Sequence, residues 1–370
     1  MRETTKIAFI GVGDISGIYL ENLTNLFKQI EIVGVCDLVR AKAEAAAEKY
    51  GIPKIYETMH DAFADPEVEI ILNLTRPYEH FEVTKAALEA GKHVYSEKPL
   101  GATKEEGEKL VALAKEKGLS IGGAPDTFLG ASIQTCRRLI DEGFIGEPVG
   151  FNAAMICRGH ESWHPDPAFY YQFGGGPMMD MGPYYLTALV NLLGRVKAVT
   201  GVTKTSFGKR VITSQPHAGT VVDVEVPTYI TGILEFDNGA IGNLTTTFDV
   251  VYNEQARFEI YGSEGTLIVP DPNFFGNQIF LLRPETGSYK EMPLLFDYKE
   301  NSRGLGLVDM AVALRNNRPI RANMEQTFHV LDIMTAFERS SQKQAREVIK
   351  SPYQRERPME KAQVLGIMES

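Results

Sequence analysis

The first 120 or so residues alternate short apolar runs with segments of helical pattern, and that alternation constrains the fold more than any other feature. KIAFI (6–10), IEIVGVCD, EIILNLT and KHVYS read as strands. Between them, ISGIYLENLTNLF, RAKAEAAAEKYG and EHFEVTKAALEAG read as helices, the last two closed by Gly51 and Gly91. TKEEGEKLVALAKEKG follows; it opens with a capping box, Thr103 with Glu106, and ends on Gly118. Strands alternating with helices at this spacing mean βαβ units and a parallel sheet. Right-handed crossovers place every strand C-terminus on one edge, where such sheets bind ligands.

After about residue 145 the pattern changes to hairpins. TYITGILEFDNGAIGNLTTTFDV is two β-rich runs around Asp237-Asn238-Gly239, residues that accept the positive φ of a tight turn. ARFEIYGSEGTLIVP and QIFLLRPETGSYKEM repeat the pattern. Helices expected near 177–193, 305–316 and 324–342 are candidates to cover one face of the resulting sheet. The expected fold is α/β: an N-terminal Rossmann dinucleotide-binding domain over 1–124, and over 125–370 an α+β domain with a large, mostly antiparallel sheet for substrate binding and oligomerisation.

Composition narrows the function classes. A net charge of −10 argues against nucleic acid as a partner. Cys36, Cys136 and Cys157 have neither metal-ligand spacing nor the even count of a disulfide framework, so reduced thiols in a cytoplasmic protein are expected. A strand already starts at Lys6, leaving no room for a signal peptide, and no apolar run approaches the ~20 residues that span a bilayer.

FIGVGDISG (9–17) puts Gly11 and Gly13 directly after a strand and before a helix. Gly11 suits a tight turn, and Gly13 lets backbone approach a pyrophosphate that the helix N-terminus stabilises. The third glycine position holds Ser16, a departure from the pattern. Asp37 ends the second strand, where an acid meets the adenine ribose hydroxyls, although an acid there also suits a helix N-cap. Candidate cofactor contacts are Gly11, Gly13, Asp14, Ile15, Asp37, Thr75, His80, Glu97 and Lys98. NAD is expected over NADP because Asp37 repels a 2′-phosphate; NADP stays possible because Arg40 lies nearby.

The runs EIILNLT and KHVYS lead into NLTRPYEH and SEKPL on the same sheet edge. At that edge Glu97 and Lys98 can face the nicotinamide, where a cation polarises a hydroxyl or carbonyl; a surface ion pair is the plainer alternative. These segments, with GVGDISGIYL, Asp37, AGKHVYSEKPL, GGGPMMDMGPYYLTALVNLLG (174–194) and EIYGSEGTL, resemble the glucose–fructose oxidoreductase / inositol dehydrogenase / MocA family over nearly the whole chain. The resemblance implies a nicotinamide-dependent oxidoreductase of sugars, polyols or related compounds, with its active site between two domains and Lys98 catalytic.

Asp180 and Tyr184 are four residues apart, which puts carboxylate and phenol on one helix face. Alternatively Asp180 caps a helix and Tyr184 belongs to the core. Many members of the family carry histidine where Tyr184 stands; tyrosine resembles the dihydrodiol and xylose dehydrogenase branch and casts doubt on inositol specificity. In that reading Tyr184 is the acid/base, its phenol helped by Lys98, and Asp180 orients substrate. RGHESWHPDPAFYYQF (158–173) offers Trp163 and His164 as substrate contacts, an aromatic platform for a sugar ring or equally a hydrophobic cap. His160 and His164 lack the company of a metal set, so no metal is expected. Asp126 either bonds a substrate hydroxyl or caps the next helix.

The function these readings favour is hydride transfer between nicotinamide and a carbinol carbon of a sugar, polyol or glycoside. Two alternatives remain: lyase or hydrolase chemistry through transient oxidation on a tightly held cofactor, and nucleotide sensing without catalysis. A homodimer or homotetramer through the open face of the second sheet is expected from β-branched residues on both faces of GNLTTTFDV.

Overall fold

A computed structural model describes residues 4–251, 258–360 and 365–369. The chain groups into two units, Met1–Ala131 with Leu295–Phe328 and Glu356–Ser370, and Ser132–Leu294 with His329–Arg355. In the first, β1 (Thr5–Ile10), β2 (Ile30–Cys36), β3 (Lys54–Ile55), β4 (Ile70–Asn73), β5 (His93–Ser96) and β6 (Ile121–Gly123) form one parallel sheet in the order β3-β2-β1-β4-β5-β6. This is the doubly wound order in which the chain reverses direction at β1, opening a crevice beside its C-terminal end. Helices α1 (Ser16–Glu21, continued as a π turn through Leu26), α2 (Arg40–Tyr50), α3 (Met59–Ala64), α4 (His80–Glu89) and α5 (Lys104–Lys117) connect the strands. The capping box forms as expected: Glu106 N–H donates to Thr103 Oγ1 at 3.2 Å, and Thr103 N–H donates to Glu106 Oε2 at 3.4 Å. Sequence reading missed β3, α3 and β6. Two- and three-residue strands carry no periodicity, and β3 is held only by Gly34↔Lys54 and Val35↔Ile55.

The second unit opens with α6 (Ala131–Asp141) and β7 (Pro148–Ile156). The expected helix over 177–193 forms in two pieces, α7 (Pro177–Asp180) and α8 (Gly182–Leu193), interrupted at Met181, with Pro183 in the first turn of the second piece. The remaining strands are β8 (Val196–Lys204), β9 (Lys209–Val211), β10 (Val221–Asp223), β11 (Tyr229–Phe236), β12 (Ile241–Thr247), β13 (Phe258–Gly262), β14 (Thr266–Ile268), β15 (Ile279–Leu282), β16 (Lys290–Met292) and β17 (Glu347–Val348). Eight of them join β7 in a nine-stranded sheet in the order β16-β15-β14-β13-β7-β12-β11-β8-β17, antiparallel except for β7 with β12. All three expected hairpins, β11–β12, β13–β14 and β15–β16, are present. One sheet face carries Ile230, Leu234, Leu244 and Ile260, all buried; the other exposes Val202 and Ile233 beside Thr231 and Thr245.

The helices expected near 305–316 and 324–342 form as α9 (Leu305–Asn316) and α10 (Met324–Lys343). However, α9 does not cover the antiparallel sheet; it belongs to the first unit and packs on β6, where Met310 meets Gly122. A buried ion network holds α9 to the chain that follows it. Asp309 on α9 accepts from Arg318 at 2.8 Å and from Arg321 at 2.6 Å, and Arg321, 1% exposed, also reaches Glu369. Removing one partner from such a set strands a buried charge, at a cost of about 3–5 kcal/mol.

In the second unit His329 is buried with its ring stacked 5.3 Å from Tyr353; Nε2 accepts from Val196 N–H at 3.0 Å and Nδ1 lies 2.8 Å from Ser351 Oγ. Burial, reinforced by the Arg195 charge, pulls its pKa down to about 4. The unfolded chain therefore takes up this proton near pH 6.5 and the folded one only near pH 4. Stability from this group is complete above pH 6.5 and is lost on acidification across that window, on the order of 3 kcal/mol. Urea unfolding at pH 7.5 and pH 4.5 should show a smaller acid loss in His329→Gln than in the wild type; equal losses would contradict this account.

Candidate active site

The parallel register brings five strand ends to one level. Gly11 N–H donates to Cys36 O, Leu74 N–H to Ile10 O, Glu97 N–H to Asn73 O and Ala124 N–H to Ser96 O, all at 2.8–2.9 Å. Gly11 has φ +94°, and a Cβ there would stand 2.7 Å from Leu74 O, so no other residue fits the turn. A Cβ on Gly13 would meet nothing within 4 Å, which leaves the open face that a pyrophosphate needs. Asp14 and the partly exposed Ile15 complete this turn. Ser16 makes up for the absent third glycine: its Oγ donates to Gly13 O at 2.6 Å, a closing bond that glycine lacks. Asp37 Oδ2 accepts from Val12 N–H at 2.7 Å and Oδ1 from Val39 N–H at 2.8 Å, fixing the carboxylate beside the glycine turn. Arg40 is engaged by Glu44 at 2.8 Å and by Glu57. The residues present fit a dinucleotide.

At the end of β4, Asn73 Oδ1 accepts from Thr75 N–H at 3.2 Å and from Thr75 Oγ1 at 2.7 Å, and Asn73 Nδ2 donates to His80 O. His80 is buried rather than facing the crevice. Its Nδ1 lies 2.7 Å from Pro99 O and its Nε2 3.0 Å from Thr75 O, and burial lowers its pKa despite those carbonyls. The Lys98–Pro99 peptide is cis. Glu97, 7% exposed, is likewise turned inward: Oε1 accepts from Tyr19 Oη at 2.8 Å and Oε2 from the Lys98 N–H at 3.0 Å. Asp126 Oδ2 accepts from Gly304 N–H at 2.8 Å and Gly306 N–H at 3.0 Å, so it caps α9, and burial pushes its pKa up to about 6. Asp126 gives no side-chain cap to the helix that directly follows it, so the cap it makes is on α9 and not on the next helix.

In the second unit Asp180 ends α7, and its Oδ2 lies 2.9 Å from His160 Nε2. The His160 ring packs edge-on against Trp163, Tyr170 and Phe248, with centroids 5.0, 4.2 and 4.7 Å away. His164 Nδ1 instead accepts from Asp166 N–H at 3.0 Å. Trp163 and Tyr170 pack against both histidine rings, and among the described residues no three His, Cys, Asp or Glu side chains gather as a metal set. Trp163 is 61% exposed, whereas Tyr184, in the first turn of α8, is buried. Close approach at Gly175, where a Cβ would run into the Phe169 carbonyl, explains one of the three glycines before α7.

Sequence reasoning missed Tyr19 and gave His160 the wrong question. Nothing near Tyr19 in the chain points to Glu97, 78 positions away. For His160, four-residue spacing to His164 raised a metal; the useful signal was a histidine next to an aromatic cluster.

Two family models match the chain. One, described as an oxidoreductase family with an NAD-binding Rossmann fold, covers residues 5–122, and the GFO/IDH/MocA C-terminal domain covers residues 133–268. The chain is similar to scyllo-inositol 2-dehydrogenase (NAD(+)) of Bacillus subtilis, 25% identical over 89% of this chain and 92% of that protein. It is also similar to D-glucoside 3-dehydrogenase of Escherichia coli, 29% identical over 69% and 73%. Its fold matches levoglucosan dehydrogenase in complex with NADH and L-sorbose, with a TM-score of 0.81, 19% identity, and coverage of 95% of this chain and 100% of that one.

The geometry around Asp37 predicts cofactor preference. A 2′-phosphate would meet the Asp37 carboxylate, while the neighbouring cation, Arg40, is already paired with two glutamates. Like-charge contact of this kind costs several kcal/mol, so kcat/KM should favour NAD over NADP by at least ~10-fold, and Asp37→Ala should narrow the ratio. A wild-type preference for NADP would overturn this prediction.

Proposed function

The chain belongs to the GFO/IDH/MocA oxidoreductase family, and from that membership we propose that it oxidises a secondary hydroxyl of a sugar, polyol or glycoside with NAD. The observation that carries this reading is the Glu97-Lys98-Pro99 turn, which stands on the same row of strand ends as the glycine turn. A cation at that position is close to any nicotinamide bound along the sheet edge.

Bound NAD supplies the hydride acceptor. Gly11, Gly13, Asp14 and Ile15 hold its pyrophosphate, and Asp37 holds ribose hydroxyls. Thr75 lines the β4 turn, with His80 supporting it from behind through the Thr75 carbonyl. Lys98 stabilises the negative charge that develops on the substrate oxygen as its proton leaves. Tyr184 accepts that proton. Asp180, held by His160, orients the substrate. The exposed Trp163 ring, with His164 behind it at 5.4 Å, offers a flat apolar surface to a sugar ring. Asp126 acts by holding α9.

The names of the relatives support a cyclic polyhydroxylated substrate, and the resemblance carried by tyrosine at 184 favours the xylose and dihydrodiol dehydrogenase branch over an inositol enzyme. The β-branched face exposing Val202 and Ile233 supports a homodimer or homotetramer. Three free cysteines support a reducing, cytoplasmic setting, and among the described residues no helix is long and apolar enough to cross a membrane. A monomeric mass in light scattering, or recovery outside the cytoplasmic fraction, would contradict these assignments.

The mechanism makes a paired prediction. Tyr184→Phe should keep the fold and NAD affinity while kcat falls by about 10²–10⁴, the usual share of a positioned proton-transfer group. Lys98→Met should do comparable damage. The rise of kcat with pH during oxidation should disappear in Tyr184→Phe. Near-normal turnover with an unchanged pH profile would remove Tyr184 from the chemistry.

A further inference from the structure

Lys98 sits in a turn whose backbone is fixed on both sides. On its C-terminal side, the Pro99 carbonyl lies 2.7 Å from His80 Nδ1 on α4. On its N-terminal side, Glu97 Oε2 accepts the Lys98 N–H at 3.0 Å, and Glu97 N–H itself donates to Asn73 O at 2.9 Å. The other oxygen of Glu97 has been given to Tyr19 Oη at 2.8 Å. Tyr19 is fully buried on α1, the helix that the Ser16 N–H to Gly13 O bond ties to the glycine turn. A carboxylate this deep needs donors for both oxygens, since a buried acceptor left unpaired is costly. Here one donor comes from the phosphate-side helix and the other from the lysine.

We propose that Tyr19 is a positioning residue for Lys98, acting through Glu97: the phenol fixes one carboxylate oxygen, and the other oxygen fixes the lysine's backbone. This assignment rests on the reading of Lys98 as the charge-stabilising group. Burial first, and then the Glu97 charge, push the Tyr19 pKa well above its usual value, so the phenol keeps the proton it donates. The charged and titratable groups around Glu97 are Tyr19 from α1, Tyr95 on β5, Lys98 next to it in the turn after β5, His80 from α4 and Asp126 after β6. Among them, Tyr19 is the one whose side chain bonds the carboxylate while its helix carries the glycine turn. Occupation of that turn and placement of the lysine are thereby linked through α1.

The test compares Tyr19→Phe, Glu97→Gln, the double variant and Lys98→Met. Glutamine has one acceptor oxygen in place of two, so Glu97→Gln cannot accept from Tyr19 Oη and from the Lys98 N–H on separate oxygens as the carboxylate does. Tyr19→Phe should lower kcat by about 10- to 100-fold, the scale of a displaced catalytic group, while KM for NAD changes by less than ~3-fold. The isotope effect with substrate deuterated at the carbinol carbon should rise as hydride transfer becomes slower. In the protein without cofactor, acetylation of Lys98, read by mass spectrometry against the other lysines, should change by ~3-fold or more in both single variants, as a freed turn predicts. The double variant should be no worse than Glu97→Gln alone, because both act through one contact.

Unchanged labelling of Lys98, or losses that add in the double variant, would overturn the inference and leave Tyr19 as packing. If Lys98→Met is inactive and Tyr19→Phe behaves as wild type throughout, the positioning role falls and the lysine reading stands. If labelling changes while Lys98→Met and Tyr19→Phe both keep full turnover, the positioning stands and the lysine reading falls. Should Tyr19→Phe fail to accumulate, Glu97→Gln carries the labelling test by itself.

Discussion

The row of backbone hydrogen bonds across the ends of β2, β1, β4, β5 and β6 is the constraint on which the cofactor side of this molecule depends. Each strand stops where its neighbour stops, and the residue after each stop donates to the last carbonyl next door. That alignment turns five separate pieces of sequence into one surface: the glycine turn, Asp37, the Thr75 turn, the Glu97-Lys98 turn and the chain leading to Asp126. A slip of one residue in β5 would reverse the faces of Tyr95 and Ser96. The register is secured by burial on both faces, since β4 is wholly buried and β5 nearly so.

Polar groups behind that surface are arranged to hold it still. His80 spans two turns by lying between the Thr75 and Pro99 carbonyls, and Asn73 braces Thr75 and the start of α4. Asp126 ties the end of β6 to the start of α9, whose own Asp309 is locked to Arg318 and Arg321. In the second unit, the His160–Asp180 pair plays the same part, set among aromatic rings that exclude water from one side. Such low-dielectric surroundings strengthen each satisfied contact and make each unsatisfied one expensive.

Much of this was legible in the sequence, for identifiable reasons. Periodicity revealed β1, β2, β4 and β5 with their helices, because strands buried on both faces read as unbroken apolar runs. Turn chemistry at Asn238-Gly239 and the capping box at Thr103 revealed the hairpin and a helix start. What stayed hidden is non-local. The inward aim of Glu97 and the burial of His80 follow from partners on α1 and in the Pro99 turn, which no local pattern encodes. The return of Leu295–Phe328 and Glu356–Ser370 to the first unit is marked by bonds such as Gly304 and Gly306 to Asp126 and Met368 to Gln29, whose members are far apart in the chain. Asp126 was visible as an acid at a turn, but its helix begins about 180 residues later.

The central claim is that NAD is a true co-substrate that leaves reduced, as opposed to a group oxidised and re-reduced within one turnover or read by a sensor. Net formation of NADH tests it most directly: purified protein with excess NAD and a panel of aldoses, inositols and glycosides, followed at the reduced-nicotinamide absorbance. The account predicts many equivalents of NADH per enzyme with at least one cyclic polyol or sugar, carrying deuterium when the substrate's carbinol carbon is deuterated. Substrate conversion with no NADH beyond one equivalent per enzyme would contradict it, as would NAD binding with no conversion of any member of the panel.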